Sequence, residues 1–101
     1  MRSAAEHLLE THAVRQADGG VVVRATGLAG LHPHLLAELF VALWEREGWP
    51  QRDMSARHYA GLADRLGAVA RGVAATPCEL PGAVRMTTGR DRLELFRIDR
   101  T

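Results

Sequence analysis

Five histidines, one cysteine and thirteen arginines are the residues of this 101-residue chain whose chemistry could reach beyond packing. His32 and His34 flank Pro33 in a His-x-His arrangement that could chelate, with Glu38 offering a nearby oxygen. A zinc site needs three or four ligands with supporting partners. The pair reads more simply as solvent-exposed histidines at a helix start. His7 and His12 stand five apart, off the i,i+4 spacing that would put two ligands on one helix face. Cys78 is the sole cysteine, so no internal disulfide can form. Glu79 beside it would raise its pKa, and the alternation with Leu80 makes it a core cysteine rather than a nucleophile. No glycine-rich phosphate loop has a standard spacing. Gly19-Gly20 precedes a strand instead of opening a helix, and Gly27 and Gly30 read as turn glycines. No Ser/His/Asp set is recognisable. The expectation is a chain with no catalytic centre, metal site or cofactor site of its own.

The charge is balanced. All 13 basic residues are arginine against 12 acids, giving +1. A GC-rich genome accounts for arginine without lysine, and selection for forks that clasp phosphate is the sharper alternative. At this net charge any nucleic-acid contact must come from a local patch or from a partner domain. No apolar run approaches membrane-spanning length, and the first residues lack a signal-peptide core. Cytoplasmic location is the default.

These residues need elements to hold them. The length fits one small domain over 1–101, and 47% hydrophobic residues suit an ordinary globular core. Ser3-Ala4-Ala5-Glu6 has capping-box spacing and predicts a short helix over about residues 4–14. Asp18-Gly19-Gly20 breaks it, and Val21-Val22-Val23 reads as a strand. Pro33 opens the strongest helix, with Leu35, Leu36, Leu39, Phe40, Leu43 and Trp44 on one face. Gly48 caps it and Pro50 forbids continuation. Glu45 and Glu47 in its last turn run against the helix dipole. Ser55 or Asp53 can cap a further helix that carries Tyr59, Leu62, Leu66 and Val69 and ends near Gly72. Cys78 and Leu80, then Val84 and Met86, then Leu93 and Leu95 alternate with polar residues. Pro81-Gly82 is a turn and Thr88-Gly89-Arg90-Asp91 a loop. The fold class is α+β: a short N-terminal helix and a central antiparallel helix pair, packed on a small antiparallel sheet with a C-terminal β-hairpin.

The helix–turn–helix–hairpin order across 33–98 formally resembles a DNA-binding winged helix, with Arg52, Arg57, Arg65 and Arg71 in or near its reader helix. Arg85, Arg90, Arg92 and Arg97 decorate the hairpin. Solvated faces explain the same charges.

Several stretches together resemble a known family. They are Leu35-Leu36-Ala37-Glu38-Leu39-Phe40-Val41-Ala42-Leu43-Trp44, Glu47-Gly48-Trp49-Pro50, Arg57-His58-Tyr59-Ala60-Gly61-Leu62-Ala63, Glu79-Leu80-Pro81-Gly82-Ala83-Val84-Arg85-Met86 and Arg92-Leu93-Glu94-Leu95. Their order is similar to the region after the catalytic domain of tRNA(Ile)-lysidine synthetases. There a leucine-rich helix precedes a helix opening near a histidine, then a leucine–proline–glycine–glycine–valine turn and a hairpin. The resemblance covers nearly the whole chain. Ala83 stands where the family has its second glycine, and the first long helix has no arginine before Arg46.

The resemblance implies a tRNA-recognition or linker domain. ATP-dependent joining of lysine to the wobble cytidine would belong to a catalytic domain whose ATP-binding motif is absent here. The implied partners are tRNA and that catalytic domain, with no membrane. Phosphate contacts would fall to Arg46, Arg52 and Arg57 around the inter-helix connector and to Arg85, Arg90 and Arg92 on the hairpin. Trp49 would either stack on a base or staple the helix end against Phe40 or Tyr59. The alternatives are the winged-helix module and a protein-docking module with an exposed cluster at Trp44, Trp49 or Phe96.

Overall fold

Ser3 and Glu6 make the reciprocal bonds of a capping box, with Glu6 N–H donating to Ser3 Oγ at 3.1 Å and Ser3 N–H to Glu6 Oε1 at 3.0 Å. They start α1, Ala4–His12, in a computed structural model that describes residues 3–98. The expected continuation of this helix to about residue 14 does not occur. Ala13–Arg15 is instead β1, turned back through Asp18-Gly19 onto β2, Val21–Arg24. Ala13 faces Val23 and Arg15 faces Val21, and this non-local pairing overrides helical periodicity.

Helix α2 spans Pro33–Glu47, with Pro33 in its first turn and Gly48 ending it in the left-handed conformation at φ 69°. Helix α3 spans Ala56–Ala70 and begins at the cap residue Ser55. It stops short of Val73, which is 54% exposed. The connection to β3, Cys78–Leu80, leads into β4, Val84–Gly89, and β5, Arg92–Arg97. Thr88 and Gly89, read as loop from sequence, pair with Leu93 and Arg92, so the turn is only Arg90-Asp91.

All pairings are antiparallel, and the strand order is β1-β2-β5-β4-β3. The expected α+β class is therefore observed, as three helices and a five-stranded sheet among the described residues. The β4–β5 hairpin lies within the sheet, because β5 also pairs with β2, and so does not project as a wing.

Strand alternation sorts the sheet into two faces. Val21, Val23, Val84, Met86, Leu93 and Leu95 are buried and join Leu36, Leu39, Phe40, Leu43, Leu62 and Leu66 in one core. Helix α2 packs between α1 and α3. The opposite face, carrying Val22, Arg24, Arg85, Thr87, Arg92, Glu94 and Phe96, remains half-buried or exposed. No helix among the described residues is long and apolar enough to cross a membrane.

Candidate nucleic-acid interface

The uncovered sheet face is built from the middle strands. Arg24, last residue of β2, stands directly across from Arg92, first residue of β5. Two like charges in register on neighbouring strands are unfavourable unless something neutralises them. Glu94 does so for Arg92, accepting from its Nε at 2.8 Å. Arg24 has no side-chain partner among the described residues, and neither has Arg90 in the adjoining turn. Arg24, Arg90 and Arg92 converge on a cleft of 580 Å³ whose other polar walls include Asp18, Asp91 and Glu94. The backbone around the cleft is tied down: Ala25 N–H donates to the Asp91 carbonyl at 2.7 Å. Gly20 N–H donates to Asp18 Oδ1 at 2.9 Å.

Glycine at 89 makes room for Arg92. A Cβ there would lie 2.9 Å from Arg92 Nε and 3.3 Å from its Cγ, so the arginine is laid across its cross-strand neighbour. Further along the same face Phe96 faces Arg85 across the ladder, and Arg85 faces Glu79 on its other side. Arg85 Nη2 donates to Glu79 Oε2 at 2.9 Å. Phe96 is 36% exposed. An exposed aromatic ring on a sheet is a surface on which an unstacked base can lie, and here Arg85 is its neighbour across the ladder.

The sequence-predicted residues separate. Arg90 and Arg92 share the cleft, and Arg85 lies on the same face. Arg52 and Arg57 are exposed in the connector and the first turn of α3. Arg46 lines a separate cleft with Glu6, Glu10 and Glu45, and its Nε donates to Glu47 Oε2 at 3.0 Å. An acidic surround is a poor place for phosphate. Trp49 is 7% exposed and packs edge-to-face on Trp44, so as placed it staples the helix end and offers no ring to a base. Trp44 too is buried, which leaves Phe96 as the exposed member of the expected aromatic cluster.

Arg24 was missed by sequence reading. Its signal was present, since the alternation of β2 puts it on the face opposite Val21 and Val23. What was lacking was the β2–β5 pairing that sets it across from Arg92.

Three of the five histidines stand at or near helix starts. His32 is the N-cap of α2, its Nδ1 accepting from His34 N–H at 3.0 Å. His34 Nε2 lies 3.8 Å from Glu38 Oε1. His58 Nδ1 accepts from Ser55 N–H at 3.0 Å, taking the role glutamate has in an ordinary capping box. No group of three or more His, Cys, Asp or Glu among the described residues could hold a metal ion. Burial pushes the Cys78 thiol up, opposed in part by Arg65.

Comparisons with protein families, with curated proteins and with solved structures each find no match to this chain.

Proposed function

We propose that this chain is the RNA-holding accessory domain of a tRNA(Ile)-lysidine synthetase-like ligase, and that it grips RNA through the uncovered face of its sheet. The observation that carries this reading is the cross-strand Arg24–Arg92 pair on a face that no helix of the described residues covers. Glu94 neutralises Arg92, and Arg24 across from it, with no side-chain partner among the described residues, is the member left to take an anion. The motif order quoted above supplies the identity of the anion, a tRNA backbone. Arg24, Arg90 and Arg92 hold phosphate oxygens, while Phe96 and the neighbouring Arg85 support an unstacked base. Asp18, Asp91 and Glu94 in the same cleft disfavour a densely charged polyphosphate. They present acceptors to base amino groups. ATP and the wobble-cytidine chemistry belong to a catalytic domain outside these residues, and the setting is cytoplasmic.

The test is binding to tRNA(Ile) with a CAU anticodon, against tRNA(Met) and a DNA duplex, across a salt series. Preferential binding to the isoleucine tRNA is expected. Arg24→Ala and Arg90→Ala should each weaken it and lower the salt slope by about 1. Absence of binding at roughly 100 μM, the weak limit of non-specific nucleic-acid affinity, would overturn the reading. So would binding that neither substitution changes.

A further inference from the structure

The helix layer has its own unpartnered feature on the side away from the sheet. Pro33, Ala37 and Val41 follow one another at i, i+4, i+8 along α2, and Ala56, Ala60 and Asp64 do so along α3. The two rows form the walls of a groove of 390 Å³. Rows of this spacing are the ridges between which another helix lays its own side chains. Eight residues of helix span about 12 Å, so the groove runs for roughly two turns. Alanines in the walls allow close approach. Tyr59 projects into the groove from α3, and its ring sits 5.9 Å from that of buried Trp44.

The carboxylates that line the groove have no arginine beside them in its walls, and Arg71 enters only the adjoining cavity that it shares with Pro33 and Asp64. Glu38 and Asp64, both exposed, line the groove, with His34 beside Glu38 and no arginine among its lining residues. This is notable in a chain with thirteen arginines, six of which occupy the sheet and its turns. An apolar trough between two carboxylates favours an apolar stripe flanked by cations and disfavours one flanked by acids.

We infer that the α2–α3 groove docks an amphipathic helix whose apolar stripe is flanked by lysine or arginine. The docked segment contributes large aliphatic anchors at i, i+3 or i+4, and i+7, the helix-in-groove mode. Its flanking cations meet Glu38 and Asp64. The inference is independent of the RNA reading, because groove and sheet face lie on opposite sides of the helix layer.

The probe is a synthetic helix of four turns with leucines at those anchor spacings and lysines flanking them. An isomer with glutamates in the flanking positions is the comparison. Binding is read by the fluorescence of the Tyr59–Trp44 pair and by NMR shifts along the groove. The lysine-flanked helix is expected to bind with a Kd of about 100 μM or tighter and to weaken as salt rises. Ala60→Arg, a substitution at an exposed position, should cut affinity about tenfold or more. The double charge reversal Glu38→Arg with Asp64→Arg should invert the preference toward the glutamate-flanked helix. Arg24→Ala should leave peptide binding unchanged. Equal binding of the two helices, a preference that the reversal does not invert, or no binding of either would overturn the proposal. Concentration-dependent dimerisation abolished by Ala60→Arg would overturn it too, by assigning the groove to a second copy of this chain.

Discussion

The rings of Trp44 and Trp49 meet edge-to-face, with centroids 5.0 Å apart and an interplanar angle of 87°. Gly48 between the end of α2 and Trp49 makes this contact possible, since its left-handed conformation folds the chain back over the helix end. Trp49 N–H then donates to the Trp44 carbonyl at 3.1 Å. The Trp44 indole N–H has no acceptor among the described residues, so aromatic packing must outweigh an orphaned donor costing on the order of 1–3 kcal/mol. Trp49→Ala is expected to destabilise the domain by about 3–5 kcal/mol in urea unfolding. Trp49→Phe should cost less and, under the proposed RNA-holding role, leave RNA binding of the folded protein unaltered. A selective loss of RNA binding in the folded Trp49→Phe variant would return this residue to the interface.

Glu47 ends α2 against the helix dipole, and the structure gives the reason. Its side chain is 5% exposed and accepts from Arg15 Nε at 3.1 Å, Arg15 Nη2 at 3.0 Å and Arg46 Nε at 3.0 Å. The carboxylate thereby fastens β1 to the helix layer. Glu47→Ala is expected to cost about 1–2 kcal/mol, at the lower end for bonds to charged groups because both arginines remain hydrated. A double-mutant cycle with Arg15→Ala should give a coupling energy clearly above zero; additive effects would mean the clamp contributes nothing.

The turn between β3 and β4 is strained in a specific place. Ala83 has φ 61°, a left-handed conformation that costs a residue with a Cβ about 1–2 kcal/mol. Glycine loses more freedom on folding, so Ala83→Gly should recover about 0.5–1 kcal/mol net. Gly82 is the opposite case. At φ 82° its added Cβ would sit 3.1–3.2 Å from three atoms of Pro50. Gly82→Ala is expected to lose about 2 kcal/mol or more. Thermal unfolding of the two variants decides the matter. An Ala83→Gly protein less stable than the parent would contradict the strain.

Tyr59 is the only tyrosine, so its ionisation can be followed by absorbance. Burial first, and the Glu45 carboxylate second, push its phenol above the ordinary 10.0. The folded state thus favours the protonated phenol. The corresponding stability is present in full below pH 10 and is lost as pH rises through the raised value. Glu45→Gln should bring the midpoint down part of the way. A midpoint at or below 10.0 in the folded protein would show that the phenol is not held as described.

Local signals in the sequence located most elements. The Ser3–Glu6 box, Pro33, Gly48 and the alternation through Val84–Met86 and Leu93–Leu95 each act within a few residues, and each is realised. What escaped depends on distant pairing. Ala13-Val14-Arg15 carries no intrinsic strand signal and becomes one by lying against Val21–Val23. Arg24 acquires significance only when β5 is placed beside β2. Trp49 is equally apolar whether buried or displayed, and only the cap geometry of Gly48 decides between them.

The strand order has a consequence for how the chain is made. β2 is made before its sheet neighbour β5, and α2, α3, β3 and β4 all lie between them in the chain. Before β5 follows, β2 has only three-residue β1 beside it, and two strands alone are marginal. The apolar sides of Val21 and Val23 stay uncovered by the sheet's other half until β5 is made. The domain therefore assembles late and all at once, closing by long-range contacts rather than growing behind the peptide exit.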